Sequence, residues 1–557
     1  MSYDLLIKNG MVVDGTGRPG RRADLAIEDG KIAEIGRLSG GAERVIDASD
    51  LVVAPGFIDP HTHYDAQICW DPEISPSSWH GVTSVIMGNC GVGIAPCRPA
   101  SRDVAVRDLV NVEAIPYDVL NRGITWDWET FPHYIAAASR RGAALNLGFL
   151  APLTPFRHYV MGEASMDRAA TPEETAGIKA LLKEAVTAGA LGFSTTALTQ
   201  HIGHQGRPLA CRNASRDEMK AYCNALKELR AGTIEIALTQ RASVVTDEDY
   251  ALLDFMLSES GRPVTFLALL ERDDLPDACV ESRRRIDPLI GRGAVPQTCP
   301  RPLTREVSLK NPFSFASFDS WAPVFNKSVA EQAAIYRDPR FRNAFREELR
   351  QPRVFSGNWQ LISINRVEAP ALKAWEGRTV AEIARERGKD GVDAFLDIAL
   401  EDDLETEFTL LFLNVNDDRV AKILEDPHTL LALGDGGAHV DLMCDAGYCT
   451  YLLGKWVRGK ELMSLEHAIH RLTAQPAELF GIKDRGRLAA GLAADIVVFD
   501  PRTVGSPERP ERRNDLPGGG KRFVMPSSGV VWTIVNGDVT YAEGIMTGAR
   551  AGQLLRC

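Results

Sequence analysis

Two histidines one residue apart are the sharpest chemical feature of this 557-residue chain. In Pro55-Gly56-Phe57-Ile58-Asp59-Pro60-His61-Thr62-His63 they follow an apolar run that reads as a buried strand. Side chains two apart on a strand share a face, so His61 and His63 project together from its end. Two imidazoles on one side hold a single divalent metal. A lone His-x-His is often a surface coincidence; the preceding strand and the Pro-Gly approach argue against that here. A second motif, Leu431-Ala432-Leu433-Gly434-Asp435-Gly436-Gly437-Ala438-His439, sets Asp435 in a Gly-rich turn after a late apolar strand. A carboxylate there reaches the same metal, or accepts a proton from metal-bound water, whose pKa the ion lowers to about 7. By itself Asp435 would read as a turn residue satisfying backbone N–H groups. The third motif, Met87-Gly88-Asn89-Cys90-Gly91-Val92-Gly93, ends the second strand. Cys90 is either a thiolate ligand or an inert buried thiol.

The elements that must position these groups are strands alternating with helices. Apolar runs at Leu51–Ile58, Thr83–Met87, Leu145–Leu150, Ala190–Ser194, Thr233–Leu238, Pro263–Leu270, Val354–Ile364 and Thr429–Leu433 read as eight strands. Helical stretches such as Pro172–Ala188 and Arg216–Ala231 separate them, the first opening on Thr171-Pro172-Glu173-Glu174, an N-cap followed by Pro. That alternation implies parallel βα units and a (β/α)8 barrel of TIM type, with its chemistry at the C-terminal ends of the strands. An insertion at about 271–352 exceeds a normal loop and is expected to fold over the barrel mouth. Both chain ends carry strand–turn–strand grammar, Asp4–Lys8 with Asn9-Gly10 and Val530–Val535 with Asn536-Gly537, each dipeptide a hairpin signal. The expected division is 1–54 and 486–557 forming one β domain, and 55–485 the metal-dependent barrel.

Composition narrows the class of function. The chain is 45% hydrophobic and 25% charged, with formal net charge −12, which excludes dominant disorder and a broadly basic nucleic-acid footprint. Ten cysteines without CxxC pairs make no disulfide scaffold. The N-terminus lacks a signal-peptide pattern and no apolar run approaches the ~20 residues of a membrane helix, so a cytoplasmic location, without nucleic-acid or membrane partners, is expected.

The His61-Thr62-His63 strand, the Gly88-Asn89-Cys90-Gly91 turn and the Gly434–His439 turn together resemble the amidohydrolase superfamily, in its D-aminoacylase-like (N-acyl-D-amino-acid deacylase) branch. The likeness runs end to end: Asp4–Gly10 resembles that branch's opening strand, and Lys483–Ala489 with Ala494–Asp500 its return to the β domain. The resemblance implies a zinc-dependent hydrolase acting on linear amides, a TIM-type barrel with a β-sandwich built from both termini, and attack by metal-activated water. It carries the metal ligands onto His61, His63, Cys90 and Asp435, with Asp435 as the catalytic proton acceptor. It also implies histidine ligands at the ends of strands five and six, yet Ile234–Gln240 and Val264–Glu271 hold none, and the fourth strand, Gly189–Thr195, lacks a bridging lysine. One Zn2+ per chain is therefore expected.

His201 and His204 follow the fourth strand; each reads as a further metal ligand, as a donor that polarises the scissile carbonyl, or as a loop residue exposed to water, the last favoured for His204. Arg157, after the third strand, resembles a family arginine that would fork onto a substrate carboxylate; a structural ion pair is the alternative. His467 and His470 read as packing or surface residues. Ser194 sits in no G-x-S-x-G elbow, against a serine hydrolase. The expected activity is hydrolysis of an N-acyl amino acid or a related N-acyl compound, with homo-oligomerisation open. The alternatives are a non-catalytic binding barrel with a degenerate metal site, and a metal-dependent lyase or esterase on the same scaffold.

Overall fold

A computed structural model describes every residue except Met1, Ala316, Ser317, Asn326, Pro352, Arg353, Val354 and Ser356. The architecture is mixed α/β. Eight parallel strands follow one another in chain order: β1 (Phe57–Asp59), β2 (Val82–Met87), β3 (Asn146–Phe149, continuing as Ala151–Pro152), β4 (Gly192–Thr196), β5 (Thr233–Ala237), β6 (Val264–Leu267), β7 (Ala294–Thr298) and β8 (Leu430–Leu431). Each pairs with the next: β3 bridges the two halves of the set, joining β2 through Asn146–Phe149 and β4 through Ala151–Pro152. A parallel bridge between Thr62 and Gly436 links the segment after β8 to the segment after β1. These strands are buried on both faces, which is why they read as continuous apolar runs rather than alternating ones.

Helices fill the connections as the sequence requires. Between β3 and β4, Pro172–Ala188 begins with a reciprocal capping box, Glu174 N–H donating to Thr171 Oγ1 at 3.2 Å and Thr171 N–H to Glu174 Oε2 at 2.8 Å. Arg216–Leu229 and Asp247–Ser260 follow β4 and β5 with boxes of the same kind.

The seventh strand lies elsewhere than expected. Ala294–Thr298 takes that place, pairing with β6 through Val264–Ala294 and with β8 through Gln297–Leu430. Pro296 and Gln297 interrupt its apolar pattern, and a proline within a run argues against a central strand. The expected strand at 354–364 begins at Val354, outside the described residues; Ile362–Arg366 instead belongs to an antiparallel three-stranded sheet. In that sheet Glu407–Leu413 lies centrally between Leu303–Ser308 and Ile362–Arg366. It belongs to a long excursion between β7 and β8 that also holds the helices Val329–Arg337, Pro339–Glu348, Val380–Arg387 and Gly391–Glu401. Its aromatic core includes Phe315 stacked on Trp321 at 4.2 Å, with Phe345, Phe395 and Phe408 around them. The insertion expected at about 271–352 ended at Pro352, outside the described residues; the excursion's strands and helices run from Leu303 to Leu413.

Both chain ends meet in one nine-stranded sheet, where Val52–Pro55 pairs antiparallel with Ile496–Phe499. Asn536-Gly537 makes the expected hairpin between Val530–Val535 and Asp538–Ala542. Asn9-Gly10 does not: the strand Ser2–Val12 runs through it, with Asn9 at φ 62° and a register shift between Ile7 and Gly10. Here the left-handed residue makes a β-bulge instead of a turn.

Candidate metal centre

The extended segment after β1 places the two imidazoles. Thr62 N–H donates to the Ile86 carbonyl at 3.0 Å, and His63 N–H to the Gly436 carbonyl at 2.7 Å. Thr62 is thereby held on one side while His61 and His63 turn together to the other, ring centroids 5.3 Å apart. Glycine is required where the β8 turn comes alongside. A Cβ on Gly436 would meet Tyr64 Oη at 2.4 Å, and one on Gly437, at φ +91°, would meet the His63 carbonyl carbon at 2.7 Å.

Donor atoms of His61, His63 and Cys90 all lie within 4.8 Å of one another, and all three side chains are buried. Cys90 Sγ is 3.5 Å from His61 Nε2. Asp435 Oδ1 faces the same point, 3.2 Å from His63 Nε2 and 3.7 Å from His61 Nε2. Two imidazoles, one thiol and one carboxylate form a donor set suited to a zinc-like divalent ion. Both Cys90 and Asp435 adopt left-handed backbone, φ 56° and 51°, conformations costly for non-glycine residues that concentrate at functional sites.

The turn carrying Cys90 is held at several points. Its N–H donates to Glu235 Oε2 at 2.7 Å, Gly91 N–H to Ser194 Oγ at 3.0 Å, and Gly88 N–H to Asp65 Oδ2 at 3.1 Å. Ser194 in turn donates to the Gly88 carbonyl, so its hydroxyl is engaged in structure. On the other flank, Glu113 Oε1 lies 3.3 Å from His63 Nδ1, leaving His63 Nε2 toward the cluster. A carboxylate behind a ligating imidazole fixes the ring and its tautomer.

Charge is distributed unevenly across the cluster. Burial drives His61 down to about 3. Burial opposes charge on His63 too, yet the Glu113 and Asp435 carboxylates outweigh it and lift its pKa to about 10. Burial would raise the Asp435 carboxyl, but His63 beside it holds it well below the usual carboxylate range. Burial pushes Glu113 up to about 7 and Glu235 up to about 8.

The remaining sequence candidates separate. His201 sits near the cluster: burial and the neighbouring His63 and His439 imidazoles lower it to about 4, so it stands neutral at pH 7. His439 Nε2 comes within 3.8 Å of Asp435 Oδ2 and adds a rim histidine. His204 is used through its backbone, donating to Asp108 Oδ1 at 2.8 Å. Arg157 takes the structural alternative: its guanidinium is fully buried, paired with Glu218 and donating to the Arg168 carbonyl at 2.8 Å. His470 Nδ1 meets the Gly15 carbonyl at 3.0 Å, a packing role.

Glu113 and Glu235 were not singled out from sequence. Glu235 left a signal, a charged residue inside the buried run Ile234-Glu235-Ile236. Glu113 left none, being the last residue of the helix Arg102–Glu113 and brought to His63 by tertiary packing alone.

Comparison with known proteins shows the family. The family model described as amidohydrolase family matches residues 44–298 and 358–541. D-aminoacylase of Alcaligenes xylosoxydans xylosoxydans is 30% identical, over 99% of this chain and 97% of the relative. N-acyl-D-aspartate deacylase of the same organism is 30% identical, over 90% and 86%. Among solved structures, N-acyl-D-glutamate deacylase from Bordetella bronchiseptica, complexed with zinc and a phosphonate inhibitor, superposes over the whole of both chains at TM-score 0.65 and 25% identity. A D-aminoacylase crystal structure does so at TM-score 0.66 and 24% identity. The chain belongs to the amidohydrolase family.

Proposed function

We propose that this chain is a metal-dependent hydrolase of linear amides, with an N-acyl amino acid or a related N-acyl compound as substrate and one Zn2+ per chain. The observation that carries the reading is the convergence of His61, His63 and Cys90 donors within 4.8 Å, with the Asp435 carboxylate 3.2 Å from His63. The same reading takes the eight-strand set as a closed (β/α)8 barrel of TIM type, residues 55–485, and assigns 1–54 and 486–557 to a β-sandwich domain. Support comes from the Thr62–Gly436 bridge and from the pairing of both chain ends in one sheet.

His61, His63 and Cys90 would hold the ion, with Asp435 alongside. Bound there, a divalent cation polarises a carbonyl oxygen and lowers the pKa of water to about 7. Asp435 is the residue placed to take a proton from attacking water and return it to the leaving nitrogen. Glu113 keeps His63 in the tautomer that leaves Nε2 free. His201, neutral and beside the cluster, is a donor for the oxyanion that develops on the substrate carbonyl. The lack of a histidine at the ends of β5 and β6 supports a single ion. All ten cysteines are free thiols, which supports a reducing, cytoplasmic setting. Among the described residues no helix is long and apolar enough to cross a membrane.

The test is metal analysis of the purified chain coupled to a hydrolysis screen over N-acyl-D-amino acids, N-acyl-L-amino acids and unrelated amides. One zinc per chain with release of free amine supports the reading. Absence of stoichiometric metal, or turnover without net addition of water, refutes it.

A further inference from the structure

The third strand opens a gap at its start. β3 pairs with β2 over Asn146–Phe149 but with β4 only over Ala151–Pro152, so β4 does not cover the edge of Leu147. The segment 549–555 fills that place. Gly552 N–H donates to the Ala143 carbonyl at 2.8 Å, Leu147 N–H to the Gln553 carbonyl at 2.9 Å, and Leu555 N–H to the Leu147 carbonyl at 2.9 Å. Leu554 and Leu147 thereby form a parallel bridge. On the other side a Cβ on Gly189, just before β4, would meet Leu554 Cδ2 at 3.0 Å, so the segment is wedged between the starts of the two strands. At its centre no side chain fits: a Cβ on Gly552 would lie 1.9 Å from the Leu145 carbonyl oxygen. Buried Asn146 ties the segment to the nine-stranded sheet. Its Oδ1 accepts from Gln553 N–H at 2.9 Å and from Asn536 Nδ2 at 2.7 Å, and its Nδ2 donates to Asp495 Oδ2 at 2.8 Å.

Leu555 carries this wedge toward the strands that bear the candidate ligands. It is fully buried in a small apolar group with Ile58 of β1, Ile86 of β2, Leu150, Leu191 and Phe480, separate from the main core. Ile86 and Leu555 meet over Gly148, where a Cβ would touch Ile86 Cγ1 at 3.1 Å and Leu555 Cδ1 at 3.3 Å. The Ile86 carbonyl in turn accepts three hydrogen bonds: from Thr62 N–H at 3.0 Å, Thr62 Oγ1 at 2.9 Å and Asn89 Nδ2 at 3.0 Å. Thr62 stands between His61 and His63, and Asn89 precedes Cys90. One residue therefore packs beside Leu555 through its side chain and holds both ligand-bearing turns through its backbone. A close-packed interior passes a local void on as strain or displacement.

We propose that 549–555 is an inserted strand that completes the pairing of β3 beside β4, and that Leu555 is a positioning residue for the candidate metal centre. It acts through Ile86 on Thr62 and Asn89, and so on the directions of His61, His63 and Cys90. Leu555 itself touches neither ion nor substrate. The inference goes beyond the hydrolase reading and rests on it only for the ion; the inserted strand stands without it.

The experiment uses the full-length chain as wild type and as Gly552→Ala, Leu555→Ala, Leu555→Met and Leu396→Ala, the last a control in the separate core of the excursion. Hydrogen exchange at the Leu147 and Thr62 amides is read on the metal-free proteins, and zinc affinity by competition against a chelator. Wild type should protect the Leu147 amide, and an unprotected one refutes the insertion whether or not Gly552→Ala folds. In folded Gly552→Ala the Leu147 amide should exchange at least about tenfold faster, its acceptor on Gln553 having been displaced; wild-type exchange there would overturn the insertion. In Leu555→Ala the Thr62 amide should exchange about tenfold faster, and Kd for zinc should rise about tenfold, the lower end of what lost support behind metal ligands costs. Leu555→Met should stay close to wild type, since it keeps the volume. Leu396→Ala should leave Thr62 exchange and zinc Kd unchanged. Thr62 exchange in Leu555→Ala indistinguishable from wild type, or changed equally in Leu396→Ala, would overturn the positioning role. If wild type binds no zinc, the metal-dependent reading fails separately, and Thr62 exchange in the metal-free chain still decides on Leu555.

Discussion

Replacing Glu113 with glutamine removes one negative charge from behind a metal ligand while keeping the side chain's shape. The carboxylate lies 3.3 Å from His63 Nδ1, with both side chains almost wholly buried. Two unit charges at that separation interact by roughly 5 kcal/mol at an effective dielectric near 20, which bounds the effect from above. In the metal-bound state the imidazole is neutral, so the relevant loss is the attraction between the Glu113 carboxylate and the positive Nδ1–H edge of the ring 3.3 Å away. A glutamine can also present its NH2 to Nδ1, favouring the tautomer with a proton on Nε2, the atom needed for coordination. Loss of such partners costs about 10–100-fold in metal affinity, or about 1.4–2.8 kcal/mol. The assay is competition for zinc against a chromophoric chelator at pH 7.5, with thermal unfolding of the metal-free chain recorded alongside. The expected result is a Kd for zinc raised at least tenfold, with activity recovering at saturating zinc. A Kd within twofold of wild type, in a variant that folds normally, would show that Glu113 does not orient His63 and that the ion does not sit on Nε2.

Glu235→Gln should retain stability and metal content, because a carboxyl raised to about 8 by burial is already neutral at pH 7 and the amide oxygen still accepts the Cys90 N–H; Glu235→Ala should lose about 1–3 kcal/mol in chemical denaturation by orphaning that N–H. Arg157→Met should destabilise the fold by about 3–5 kcal/mol, leaving Glu218 buried and unpaired, while KM of the folded fraction stays unchanged; a selective rise in KM would return Arg157 to the substrate site. Glu306, buried between Thr409 and Asn365, is pushed up to about 8. Its folded state thus binds a proton that the unfolded state releases above about 4.5, and its contribution to stability falls as pH rises from about 5 to 8. Unfolding at several pH values should show Glu306→Gln gaining on wild type across that window, by on the order of 1 kcal/mol for each pH unit; a constant difference refutes the assignment.

How much of this was legible in the residues depends on the range of the signal. His61 and His63 are fixed by a two-residue period at the end of a buried strand, and Asp435 by a Gly-rich turn whose glycines are needed where it crosses His63 and Tyr64. These are local signals. The seventh strand was obscured because Pro296 and Gln297 break the apolar run of Ala294–Thr298, while the β-branched residues of Ile362–Arg366 serve a sheet in the excursion. Arg157 carried a local pattern that fits either role, and only the position of Glu218, 61 residues away, decides between them. Glu113 gains its meaning from a neighbour on a distant segment, which spacing along one chain does not encode.

The most direct measurement is X-ray absorption at the zinc edge, with elemental analysis, on the purified full-length chain and on Cys90→Ser. The account expects one zinc per chain, two imidazole nitrogens at about 2.0 Å and one sulfur at about 2.3 Å, the sulfur alone vanishing in Cys90→Ser. Two tightly bound ions, or a wild-type spectrum without sulfur, would contradict it.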